Sequence, residues 1–179
     1  MNDYKAKLHM DKIANKFGRK YPIPFYDYNW MYLRIMRKVE YLQKKTDVVS
    51  KFRYILNIFR LRQLSVKLGI TIPPGTFDGG LTLYHWGSIV VNSNVKGGRF
   101  VTIQSDVNIS KDVVIGDSVY IAPGVKILEG VKIAEGVMIG ANSVVTKDIL
   151  ESYTTWVGSP AKKIKDEGYV NRVEEFNWF

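Results

Sequence analysis

The order of apolar and polar residues divides this chain into two regions. In "NWMYLRIMRKVEYLQKK", Tyr32, Ile35, Met36, Val39 and Leu42 recur at helical spacing, while Arg34, Arg37 and Lys38 take the other face. A second helix follows, with Asp47 as its N-cap and Phe52, Ile55, Phe59 and Val66 on one side as packing surface. Gly69 stands where a helix C-terminus takes a left-handed residue. Residues 1–27, with "YPIPFYDY" near their end, show no such period and read as irregular or weakly helical.

From Gly69 the period changes. Written in sixes from Gly87, the chain runs GSIVVN, SNVKGG, RFVTIQ, SDVNIS, KDVVIG, DSVYIA, PGVKIL, EGVKIA, EGVMIG, ANSVVT. The third slot is Ile or Val in nine of ten units, Ser143 being the exception, and the fifth in nine of ten, Gly97 being the exception. A strand buries alternate residues, so slots three and five face one interior and slot four faces out. Gly, Asp, Asn, Ser and Pro crowd the remaining slots, where the chain must turn. Short strands turning every six residues without hairpin signals describe a parallel β-helix. The organisation predicted is a helical segment 1–68, a β-helical domain 69–165 and a tail 166–179.

Charge sharpens that division. Residues 1–68 carry 16 Lys or Arg against 5 Asp or Glu, while the rest carry 10 against 12. A basic half can favour anionic lipid, phosphorylated substrates or nucleic acid, although a solvated helical face is the first reading. No nucleic-acid motif accompanies it, so no nucleic-acid partner is expected, and peripheral membrane contact is kept as an alternative. The chain has no cysteine, which excludes disulfides, thiolate zinc sites and cysteine nucleophiles. The start, "MNDYKAKLHMDK", has no signal-peptide pattern and no apolar run approaches bilayer length, so a cytoplasmic location is expected.

The units "IGDSVY", "IAPGVK", "IAEGVM" and "IGANSV" resemble the hexapeptide-repeat acyltransferases. "LTLYHWGSIVVN", "VMIGANSVVTKDI" and "VGSPAKKIK" narrow the resemblance to serine acetyltransferases and to their relatives that O-acetylate surface polysaccharides. The resemblance implies a left-handed, three-sided β-helix, a homotrimer with active sites between subunits, and acetyl-CoA as acyl donor with no metal. It also implies that the histidine of this stretch, His85, is the general base, and that an aspartate one coil earlier is its partner. The matching place here is near Thr71, with Asp78 close by in sequence.

With three hexads to a coil, residues 18 apart stack along an edge about 4.8 Å apart. One edge is lined with small residues: Ala122, Pro123, Gly140, Ala141, Gly158 and Ser159. These are the expected coenzyme A contacts, with Lys162 and Lys163 meeting its phosphates. His85 and Trp86 head the same edge, and Trp86, Gln104 and Asp106 are the expected acceptor contacts. Imidazole suits base catalysis near neutrality, and the other histidine, His9, lies in an unpatterned segment. Two histidines cannot build a three-histidine zinc site. A flat indole beside polar side chains favours a sugar hydroxyl as acceptor, with free serine as the alternative. A non-catalytic trimeric scaffold, without affinity for coenzyme A, is the rival from another class.

Overall fold

The computed structural model describes residues 3–16, 18, 20–23 and 26–170. The outer part of the tail, 171–179, lies outside the described residues. Three helices, α1 (Asp3–Ala14), α2 (Tyr28–Gln43) and α3 (Val48–Leu68), precede a parallel β-solenoid of three narrow sheets.

The helix α1 falls in the segment read as irregular or weakly helical. Its buried residues are only Asp11 and Ala14, so it is held by polar contacts and leaves no apolar period in the sequence. Arg37, assigned to a solvent face of α2, is instead buried. Its guanidinium meets the Asp11 carboxylate at 2.8 Å and Glu40 at 3.0 Å, and it donates to the carbonyls of Phe77 and Asp78. In α3 the Asp47 side chain accepts from the Ser50 N–H, and Gly69 closes the helix at φ +67°. The stripe Phe52, Ile55, Phe59 and Val66, read as packing surface, points to solvent; α3 packs through Asn57, Leu61, Leu64 and Leu68.

The first sheet stacks β1 (Ile70–Thr71), β3 (Ile89–Val91), β6 (Asn108–Ile109), β9 (Lys126–Ile127) and β12 (Val144–Val145). The second stacks β4 (Lys96–Gly97), β7 (Val114–Ile115) and β10 (Lys132–Ile133). The third stacks β2 (Thr82–Leu83), β5 (Thr102–Ile103), β8 (Tyr120–Ile121), β11 (Met138–Ile139) and β13 (Thr155–Val157), with β14 (Lys162–Lys165) added antiparallel. Slots three and five fill the interior, from Ile89 and Val91 down to Val137 and Ile139. The corners repeat every sixth residue in the left-handed backbone region, at Phe100, Asp106, Asp112, Ser118, Gly124, Gly130, Gly136 and Asn142.

Both exceptions to the repeat are filled from elsewhere. A Cβ at Gly97 would fall 2.0 Å from the Phe77 ring, so Phe77 occupies that part of the core. Ser143 is fully buried, and its Oγ accepts from the Gly158 N–H at 3.0 Å, tying down the last coil.

The upper end of a solenoid exposes unpaired strand groups, and the helices satisfy them. Asp11 accepts from the N–H groups of Gly80 and Leu81. Asn15 donates to the Leu81 carbonyl and accepts from Leu83 N–H, and Asn29 donates to the Leu83 carbonyl. Tyr32 hydroxyl accepts from Ile72 N–H. Side chains do here what another strand would do. At the lower end, Trp156 packs against the core and donates from Nε1 to Thr154 Oγ1.

Candidate active site

The sequence order around His85 determines how it is presented. Between Leu83 and Val90 the chain has two more residues than between their partners Ile103 and Asn108 below. Leu83 pairs with Ile103, 20 residues on, whereas Val90 pairs with Asn108, 18 residues on. The extra length makes a bulging turn on which Tyr84, His85 and Trp86 are all exposed. Several contacts hold its base. Gly87 N–H donates to the Leu68 carbonyl and Ile89 N–H to the Gly69 carbonyl, both from the end of α3. Trp86 stands edge-on to Tyr28 at 6.3 Å, and the Tyr28 hydroxyl accepts from Lys67 at 2.9 Å.

The shift of two residues corrects the stacking read from the sequence. The offset is 20 up to Leu83 and 18 from Val90, so the turn between them, with His85 and Trp86, does not stack residue for residue on Gln104 and Ser105. The lower end slips as well: Ile139 pairs with Trp156, 17 residues on, so Gly140 lies against Val157 rather than Gly158. The regular spacing of 18 holds between those ends.

His85 nevertheless lies between the third and first sheets, above a corner that runs down through Ser105, Pro123, Ala141 and Gly158, with Ser159 next to it in the chain. Pro123, Ala141, Gly158 and Ser159 are exposed along it, while Ala122 is buried. A Cβ at Gly140 would come within 2.5 Å of Val157, so its missing side chain is explained by the chain's own stacking.

Other assigned residues are engaged elsewhere. Gln104 is buried and donates to the Tyr120 hydroxyl. The Asp106 carboxylate pairs with Lys126 at 3.0 Å. Lys163 lies between Glu151 at 2.6 Å and Asp166 at 2.9 Å, and these two carboxylates push its ammonium pKa up to about 12. Its charge is already compensated, whereas Lys162 takes part in none of the ion pairs among the described residues. Thr71 pairs with Val90 in the first sheet, and Lys7 holds the Asp78 carboxylate at 3.1 Å. Neither residue belongs to the His85 turn. His9 lines an open basin with Lys5, Lys12 and Tyr21, away from the solenoid. Among the described residues no group of acidic or histidine side chains could hold a metal.

Three contributors to this region were not read from the sequence. Asn29 and Tyr28 open α2 and Lys67 ends α3; their contacts with the turn or with each other span 39 residues or more, which no local pattern signals. Lys147 also went unassigned; it lines a lower basin of about 310 Å³ with Trp156, Pro160, Ala161 and Lys162.

The class defined by these observations is a hexapeptide-repeat β-solenoid with a helical cap and a histidine at one corner. Residues 112–147 match the family described as bacterial transferase hexapeptide (six repeats). Among solved structures, the fold is that of the serine acetyltransferases. The soybean apoenzyme is 24% identical with a TM-score of 0.72, matching over 92% of this chain and 70% of that one. The Neisseria gonorrhoeae enzyme is 22% identical with a TM-score of 0.71, over 100% and 72%. The Brucella abortus enzyme, solved with coenzyme A, is 23% identical with a TM-score of 0.72, over 94% and 70%. No curated protein matches the chain by sequence.

Proposed function

We propose that the chain is an acetyl-CoA-dependent O-acetyltransferase whose acceptor is the hydroxyl of a small molecule, with serine as the first candidate. The observation that carries this reading is the exposed His85 on a bulged turn, at the head of a corner lined by Pro123, Ala141 and Ser159. The likeness to serine acetyltransferase structures, one of them a coenzyme A complex, supports donor and acceptor alike.

In this reading the thioester lies at His85 and the pantetheine arm descends the corner, passing the exposed Pro123 and Ala141 to Gly158 and Ser159. Ala122 is buried and Gly140 stacks against Val157, so neither touches it. Four coil spacings, on the order of 19 Å, match that arm. His85 takes the proton from the acceptor hydroxyl as its oxygen attacks the thioester carbonyl. Backbone N–H groups stabilise the oxyanion. The carbon–sulfur bond then breaks, and the imidazolium returns its proton to the departing thiolate, leaving an acetyl ester and coenzyme A. No side chain along the corner resembles an activated nucleophile, so no acyl-enzyme forms. Active sites shared between three subunits belong to this proposal too.

A second reading, transfer to a sugar hydroxyl, is favoured by one observation: Trp86 is 60% exposed beside His85 and offers a flat indole face. Against it, Gln104 and Asp106 already have partners of their own. Coenzyme A release with L-serine, compared with nucleotide-linked sugars, decides between them. The proposal predicts turnover with serine that falls roughly 10²–10⁴-fold in His85→Ala. Wild-type turnover in that variant would contradict the role of His85. Turnover with sugars alone would establish the second reading, and no affinity for coenzyme A would leave only a scaffold.

A further inference from the structure

The outward face of α3 has an order of its own. Val48, Phe52, Ile55, Phe59 and Val66 align as one stripe at 100° per residue. Phe52 is 69% exposed, Phe59 58% and Val66 86%. Lys51 and Arg62 border the stripe on one side; on the other, the exposed Val49 and Leu56 widen it as far as Arg53 and Arg60. No acidic residue occurs from Val48 to Leu68. Among the described residues, these four cations take part in no ion pair.

We infer that this face of α3 is a docking surface for an anionic lipid bilayer. An apolar stripe flanked on both sides by Lys and Arg is what an interfacial helix presents, with rings among the acyl chains and cations among the headgroup phosphates. The helix is on the order of 30 Å long, and its opposite side is fixed to α2 and the solenoid through Leu61, Leu64 and Leu68. It therefore needs no folding on arrival. Nearby Lys38 has its pKa lowered, first by burial and then by Arg53, Arg60 and Arg34, which marks a cationic field without a counter-charge. The same face of a second copy and a nucleic acid both fit less well, and a contact with another part of a second copy is read from the solution mass below. A second copy of this face would oppose cations to cations, and a nucleic acid would pair the cations but leave Phe52, Ile55 and Phe59 uncovered. Among the described residues no helix is long and apolar enough to cross a membrane.

The test is co-sedimentation of the full chain with vesicles containing about one-third phosphatidylglycerol in phosphatidylcholine, and with phosphatidylcholine alone. Binding should favour the anionic vesicles and weaken as salt rises. Phe52→Ser with Phe59→Ser should reduce partitioning by roughly ten- to a hundredfold, and Arg53→Gln with Arg60→Gln should reduce it on anionic vesicles alone. These side chains are exposed, so circular dichroism and melting should match the wild type. Four results would overturn the inference. They are a folded wild-type chain that ignores anionic vesicles, undiminished binding by the phenylalanine variant, a drop in solution mass in that variant (marking a contact between copies), and preference for duplex nucleic acid over vesicles.

Discussion

Asp11 accepts from the Arg37 guanidinium and from the N–H groups of Gly80 and Leu81, and it has no exposure to solvent. Burial pushes its carboxyl pKa upward, while Arg37 and the two N–H groups pull the other way. Removing it takes one of two carboxylates from a buried guanidinium, which keeps Glu40, and leaves two strand donors without their acceptor. Asp11→Ala should therefore cost about 3–5 kcal/mol, read from urea denaturation. The lysines at the other end make a second prediction at this scale. Lys163 is already paired with Glu151 and Asp166. Lys162→Glu should weaken coenzyme A binding more than Lys163→Glu does, and a titration of each variant shows the order. His85 was legible in the sequence because it stands in an otherwise aliphatic repeat. Asp11 and Arg37 were not, because a buried ion pair between two helices has the composition of two solvated faces.

The elements of the solenoid were legible for the opposite reason: each six-residue unit repeats the same alternation of buried and exposed positions, so the pattern accumulates. Reading failed only where the repeat bends. The two extra residues between Leu83 and Val90 carry no signal of their own, and they break the regular 18-residue stacking at the His85 turn. The helix α1 read only as irregular or weakly helical because its buried residues are just Asp11 and Ala14, too few for an apolar period. The stripe on α3 was seen but assigned inward, since a sequence gives the angular position of an apolar face and not what covers it. Gly97 and Ser143 look like flaws in the repeat until Phe77 and Gly158 are seen to complete them. Gly97→Val restores the repeat on paper but drives a side chain into the Phe77 ring. It should destabilise the fold by about 1–3 kcal/mol through overpacking, measured by denaturant titration.

At the scale of the whole molecule, the helices serve the solenoid as its missing first strand, and the start of α2 and the end of α3 also hold the turn that carries His85. Loss of the Asn29 bond to the Leu83 carbonyl in Asn29→Ala should lower kcat more than it lowers stability, comparing turnover with melting. Assembly follows from the proposed shared sites: sedimentation at micromolar concentration should give three times the chain mass of 20.5 kDa. The most direct measurement is a crystal structure of the protein with coenzyme A. The account predicts the sulfur within hydrogen-bond reach of His85 and the pantetheine arm passing Pro123 and Ala141 toward Ser159. Coenzyme A bound elsewhere, with its sulfur remote from His85, would contradict it.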